Sequence, residues 1–273
     1  MPLDLSNEEL EKLRQARRRL RSGLKIVTDE QAAQYVNERG FALLMRLPRL
    51  ALPSLSEADV RDPWEGFDIT DGAWRWKETL PGARLCAYQK LIQNRGTFIS
   101  WNLFPHFYVL YGPQDVYEEE YRGGLLERLA YLTLQEIEES GPLSSRDLWA
   151  RLRGEFGGNR SRFEGVLSNL QRTFHLTVSG GSLEGWSLHY WDLVERQAPG
   201  GLLDKLPSVK SAREALLCKF IENMAAAGQA EMRTAFRWDA AILQEALASL
   251  VNAGRVQEVA VEGCRERLWA TSP

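Results

Sequence analysis

The sequence predicts a mostly α protein with small antiparallel β-wings, built as tandem winged-helix domains. Three observations carry that prediction. Residues 125–192 and 211–271 repeat one order of elements: a helix, a polar turn, a short helix, a longer amphipathic helix and two strands. The long helix of each repeat has its apolar residues at helical spacing on one side only. The strands of each repeat bracket glycine, at Gly180, Gly181 and Gly185 in the first and at Gly263 in the second. At 273 residues the chain has room for two or three domains. The boundaries expected are an N-terminal α+β region over 1–120, which a divergent winged helix would also describe, a first winged helix over 121–198 and a second over 207–273.

Residues 7–21 read as a helix that starts with Glu8, Glu9 and Glu11 and ends with Arg17, Arg18, Arg19 and Arg21. That order complements the helix dipole. The arginines suit phosphate contact, and equally a solvated helix end. Thr28 opens a second helix over 29–39, closed by Gly40. The run FALLMRL at 41–47 predicts a buried strand with Phe41, Leu43, Met45 and Leu47 on one inward face. Pro48 and Pro53 stop it. Residues 54–72 are polar and acidic, a loop or a short helix. TFISW at 97–101 reads as a strand, and FPHFYVLY at 104–111 as a second apolar run interrupted by Pro105. Residues 117–121 (YEEEY) open the next helix.

In the first repeat Leu125, Leu126, Leu129, Leu132 and Ile137 form the apolar side of a helix that Gly141-Pro142 ends. Ser144 and Asp147 predict a capping box, and Ser161 with Glu164 a second one ahead of Phe163, Val166, Leu167, Leu170 and Phe174. Leu176 and Val178 alternate as a strand, and 186–191 returns. Pro199-Gly200-Gly201 marks a linker. In the second repeat Ser211 and Glu214 predict a box before Leu216, Leu217, Phe220, Ile221 and Met224. Asp239 caps the third helix, whose inner face is Ile242, Leu243, Leu247 and Leu250. Val256, Val259, Val261 and Leu268-Trp269 supply the strands.

Hydrophobic residues are 44% and charged residues 26% of the chain, as in soluble globular proteins. The net charge of -3 and pI of about 5.8 argue against a sequence-blind nucleic-acid binder, so any DNA contact depends on local patches. No apolar run has the length of a membrane span, and the first residues lack a secretion-signal core; a cytoplasmic protein without a membrane partner is expected. Cys86, Cys218 and Cys264 are far apart and share no metal-ligand spacing with His106, His175 or His189. Neither metal nor cofactor is expected, and the thiols read as free. Phosphate loops, G-x-S-x-G elbows and HExxH motifs do not occur.

Two constellations are candidates for nucleic-acid contact. On the outer face of the first repeat's third helix, Arg162, Gly165, Asn169 and Arg172 recur at i, i+3, i+7 and i+10, with Arg160 at the entrance. Arginine grips guanine or phosphate, asparagine reads adenine, and glycine admits the backbone closely. A plain solvated face is the competing reading. The matching helix of the second repeat shows Ala240, Glu245, Ala248 and Asn252, with no positive charge before Arg255. Glu245 would repel phosphate, so that unit reads as a packing or homodimerisation module. The other constellation is WRWKE at 74–78, followed by Tyr88, Lys90, Arg95 and Trp101. Trp76, Lys77, Tyr88 and Lys90 would stack on bases and neutralise phosphate. Buried aromatics covered by lysine and arginine stems at a domain junction explain the same pattern. Asp59, Asp62, Glu65, Asp68, Asp71 and Glu78 crowd the neighbouring loop, but spacing fixes no acid–base pair among them.

Four stretches, RLPRLALPSLSEA at 46–58, AWRWKETLP at 73–81, AYQKL at 87–91 and SWNLFPHFYVLYG at 100–112, together with the two repeats, carry a resemblance. The chain resembles the winged-helix DNA-binding superfamily of AlkZ/YcaQ-like crosslink-repair DNA glycosylases, and most closely its AlkZ-related branch. The resemblance implies stacked winged helices around a channel for double-stranded DNA, and a link to repair or damaged-DNA recognition. It also implies a Gln-x-Gln or Gln-x-Asp motif after an N-terminal helix and a glycine. On that pattern Gly40 takes the glycine position, and Leu43 and Met45 fall where the polar pair belongs. Neither side chain can polarise water, so no catalytic residue is assigned. Two rivals stand beside DNA binding: a glycosylase that uses other residues near Trp74, Trp76, Tyr88 and the loop acids to receive a flipped base, and a protein-interaction scaffold.

Overall fold

Ser6 and Thr28 each start a helix by a reciprocal capping box, with Glu9 and Gln31 as their third-residue partners. The computed structural model describes residues 3–23, 26–58, 72–182, 188–264 and 266–272. Its first region contains β1 (Leu3–Leu5), α1 (Asn7–Arg17), α2 (Asp29–Arg39), β2 (Phe41–Leu43), α3 (Leu55–Ala58), α4 (Ala73–Gly82), β3 (Ala87–Lys90), β4 (Gly96–Ile99), α5 (Phe104–Tyr111) and α6 (Tyr117–Arg122). Gly40, at φ 73°, ends α2 in a conformation that costs glycine little.

Strands β2, β4 and β3 form an antiparallel sheet in that order, with Leu43 opposite Thr97 and Thr97 opposite Gln89. β2 stops at Leu43, short of the strand expected to reach residue 47. Beyond it the Leu44 amide bonds to the Gly96 carbonyl and the Leu44 carbonyl accepts from Ser56, so the chain bends. Phe41, Leu43 and Leu47 are buried, but Met45 is 44% exposed. The expected single inward face therefore loses Met45, because a bend breaks strand alternation. The apolar run at 104–111 is helix α5, and Pro105 sits in its first turn, where a missing N–H leaves no bond unmade.

The central region holds α7 (Arg128–Ser140), β5 (Leu143–Ser144), α8 (Ser145–Leu152), α9 (Arg160–Arg172), β6 (Leu176–Ser182), β7 (Leu188–Leu193) and α10 (Val194–Gln197). Its sheet runs β5-β7-β6, antiparallel throughout. Ser144 caps α8 as expected, accepting from the Asp147 amide at 3.0 Å. α9 begins earlier than expected: Asn159 caps it, accepting from the Arg162 amide at 2.9 Å. Ser161 is thus inside the helix, and Glu164 pairs with Arg160. Leu125, placed on the inner side by its spacing, is exposed, while Leu129, Leu134 and Ile137 are buried.

The last region holds α11 (Val209–Met224), β8 (Ala227–Gly228), α12 (Gln229–Phe236), α13 (Ala240–Asn252), β9 (Val256–Val261) and β10 (Leu268–Thr271). Ser208, not Ser211, caps α11. Glu214 accepts instead from Ser249 Oγ at 2.6 Å, tying α11 to α13. The sheet runs β1-β9-β10-β8, and β1 joins β9 in parallel, Leu3 opposite Val259. The fold is therefore mostly helical with small sheets, as expected, but its pairing is not wholly antiparallel. One core unites α2 and α4 with α7, α8, α9, β6 and β7; a second unites β2 and α5 with α11, α12 and α13. No described helix is long and apolar enough to cross a membrane.

Candidate nucleic-acid interface and a buried carboxylate

Helix α9 buries Phe163, Leu167 and Leu170 and turns Arg162, Gly165, Asn169 and Arg172 outward, all exposed. A Cβ on Gly165 would meet nothing within 4 Å, so that part of the face is open. Arg162 has no side-chain partner among the described residues. Arg172 donates from Nη2 to Asn169 Oδ1, which orients both toward the same side of the helix. Arg160 is engaged locally: it pairs with Glu164 at 2.7 Å and lies 5.2 and 5.1 Å above the rings of Trp149 and Phe163. Lys90, half-buried on β3, donates to Ser168 Oγ at 3.1 Å and so belongs beside α9.

Trp76, Lys77 and Glu78 of the WRWKE motif turn inward from α4, while Trp74 stays exposed. Trp76 is fully buried and its indole N–H donates to Asp29 Oδ1 at 3.0 Å, an oxygen that also accepts from Arg75 at 2.8 Å. Tyr88 is buried with its ring 4.9 Å from Phe98 and 6.3 Å from His189. Burial pushes its phenol well above the usual tyrosine range. Lys77 is buried, its ammonium 4.4 Å from the Trp74 ring centre and donating to Glu78 Oε1 at 3.0 Å. Burial lowers the Lys77 pKa, and Glu78 opposes that shift. Trp76, Lys77 and Tyr88 therefore offer no stacking platform in this structure. They build a junction instead, because an α-helical turn in place of an extended segment buries one side of the motif against β6.

Glu78 is the centre of that junction. Its side chain is 1% exposed, and its Oε2 lies 2.9 Å from Nδ1 of His189 on β7. His189 is itself 26% exposed, so one side of the pair reaches toward solvent. A buried carboxylate held by an ammonium and an imidazole can orient a proton or steady a positive charge. Sequence reasoning weighed Glu78 but not His189, which stands 111 positions away and has no local signal in LHYW. Asp59, Asp62, Glu65, Asp68 and Asp71 lie outside the described residues, as do Gly185 and Trp186.

Three of the four N-terminal arginines are tied to protein oxygens. Arg17 donates to the Glu222 carbonyl at 3.1 Å, Arg18 stands 3.5 Å from Glu57, and Arg21 stands 3.3 Å from the Glu222 carboxylate. On α13, Ala240, Glu245, Ala248 and Asn252 are exposed. Leu43 is fully buried and Met45 presents only a thioether, so the positions implied for a polar catalytic pair carry none. Among the described residues no group of histidine, cysteine and acid could hold a metal, and the three cysteines are free.

The described residues thus form a mostly helical fold with three small sheets, an outward Arg/Asn stripe and a buried carboxylate at the α4–β6 junction. Residues 26–237 match the family described as AlkZ related, and the chain belongs to that family. Among solved structures it is similar to the Streptomyces sahachiroi DNA glycosylase AlkZ, with a TM-score of 0.58. The match covers 98% of this chain and 70% of that one at 13% identity, a likeness of fold. No curated protein matches the chain.

Proposed function

We propose that this protein binds double-stranded DNA in the manner of a winged-helix protein and serves DNA repair or damaged-DNA recognition. In this reading the units at 121–198 and 207–273 are winged helices, and 1–120, with its own three-stranded sheet, is a divergent one. The observation that carries the reading is the α9 stripe. Arg162, Asn169 and Arg172 are exposed on one side of a helix whose other side is core. At a net charge of -3 the chain has no general pull on phosphate, so binding depends on this patch. The exposed face of α13 carries Glu245 and suits contact with a second copy of the chain better than contact with DNA. Membership of the AlkZ-related family, and a fold like that of the DNA glycosylase AlkZ, support the link to repair.

Replacing Arg162 and Arg172 together by alanine should weaken duplex binding and flatten its salt dependence by about one unit of slope per lost phosphate contact. An unchanged affinity and slope in a salt titration would remove α9 from the interface.

One observation favours a second reading, a glycosylase with non-standard residues. Base excision needs a group that activates water or stabilises a positively charged sugar, and Glu78, held between Lys77 and His189, is a carboxylate of that kind.

A further inference from the structure

A cleft of about 340 Å³ opens where the β3–β4 connection, the end of α9 and the end of α12 meet. Its volume falls in the range of small-molecule sites. Tyr111 and Trp238, both half-buried, supply the aromatic wall over a buried Phe107, and the charged side chains among its lining are two arginines, Arg172 and Arg237. The polar atoms of the aromatic wall are already used. The Trp238 indole N–H donates to the Tyr111 hydroxyl at 2.9 Å, and that hydroxyl donates to the Phe236 carbonyl at 3.3 Å. Phe236 stacks on Trp238 with ring centres 4.5 Å apart, which fixes the indole. The wall therefore offers ring surface, while the arginines and the exposed amide of Asn94 offer hydrogen-bond donors.

Backbone conformation points the same way. Arg237 ends α12 at φ 57°, ψ 25°, a left-handed position where glycine or asparagine is the ordinary residue. Gln93 and Asn94, at the turn that forms another side of the cleft, are left-handed too, at φ 52° and 59°. Arg237 is exposed and has no side-chain partner among the described residues. Strain held at a cleft by a long cationic side chain with no partner among the described residues is the pattern of a ligand site. A second cleft, by contrast, sets four acids, Asp115, Glu118, Glu138 and Glu195, against one arginine, Arg196, and His175.

We propose that the cleft binds a planar aromatic anion of nucleotide size, its ring against the aromatic wall and its phosphate on Arg172 and Arg237. Stacking and charge-assisted bonds to guanidinium are the two interactions such a ligand needs. The same chemistry is offered by a free mononucleotide and by one nucleotide of a single strand.

The test uses 2-aminopurine, whose fluorescence is quenched by stacking, as the free ribonucleoside 5′-monophosphate, as the nucleoside without phosphate, and within a single-stranded oligonucleotide. Saturable quenching of the free monophosphate is expected, with affinity at least about tenfold lower for the nucleoside. Quenching of the strand alone would make a nucleic acid the source of the ligand. Arg237→Gly should weaken binding of the quenched probe about tenfold or more while the melting temperature holds or rises, since glycine relieves the left-handed strain. Arg237→Asn should behave alike and guards against an effect of added flexibility. No quenching of either probe, equal binding of nucleoside and nucleotide, or binding indifferent to Arg237 would overturn the assignment. The inference does not rest on duplex binding. Arg162 does not line the cleft, so Arg162→Ala should leave probe binding unchanged whatever it does to a duplex.

Discussion

Gly181 on β6 lies so close to Glu78 on α4 that a Cβ on the glycine would stand 2.3 Å from Glu78 Oε2. The same Cβ would be 2.6 Å from the carbonyl oxygen of Leu188, a backbone atom that cannot swing aside. Gly181→Ala should therefore force α4 and the β6–β7 pair apart and destabilise the protein by about 1–3 kcal/mol. A lower midpoint in thermal unfolding checks this. A wild-type midpoint would show that the carboxylate has room to move.

Leu43 and Met45 should respond oppositely to charge. Leu43→Asp places an unpaired carboxylate in a fully buried position and should cost several kcal/mol in urea unfolding. Met45→Asp, at a residue 44% exposed, should stay within about 0.5 kcal/mol of wild type. Equal losses at the two positions would mean that Met45 is enclosed in solution.

His106 on α5 should contribute to acid sensitivity. Burial holds its pKa below the ordinary 6.5, against a smaller opposing effect of the Leu103 carbonyl, and its Nδ1 has no hydrogen-bond partner. The unfolded chain then binds the proton more readily than the folded one, so stability falls as pH drops below about 6.5 and levels off only beneath the folded-state value. Replacing His106 by Gln should reduce the loss of melting temperature between about pH 7 and pH 5. An identical loss in both proteins would place the acid sensitivity elsewhere.

Glu78 decides between the two proposed readings. Under the glycosylase reading, incubation with alkylated or crosslinked duplexes followed by alkaline cleavage should reveal abasic sites, and Glu78→Gln, with unchanged melting, should abolish them. If the duplexes bind but no cleavage rises above background, DNA binding stands without excision.

Local signals were legible in the sequence and distant ones were not. Thr28 and Gly40 marked both ends of α2, and Ser144 marked the start of α8, because a cap is a bond between near neighbours. Where two candidate caps stood within a few residues, spacing alone chose wrongly: Asn159 and Ser208 cap α9 and α11 in place of Ser161 and Ser211. The α9 stripe was readable, since burial of Phe163, Leu167 and Leu170 leaves its outer face by geometry. The fate of Trp76, Lys77 and Tyr88 was not readable. It depends on β6 and β7, which bring Gly181 and His189 to α4 from more than a hundred positions away. The cleft beside Arg237 was invisible for the same reason, since its walls come from four separate stretches of chain.

The pairing of β1 with β9 bears on how the protein is made. Beyond the strand itself, Asn7 Nδ2 donates to the Glu262 carbonyl, 255 positions along the chain. A ribosome adding roughly 5–20 residues each second would leave β1 without its neighbour for ten seconds or more. The helices of the central region can fold in that interval, but the four-stranded sheet closes only after synthesis of β9. Its completion is a late, ring-closing event that joins β1 to a strand synthesised long after it.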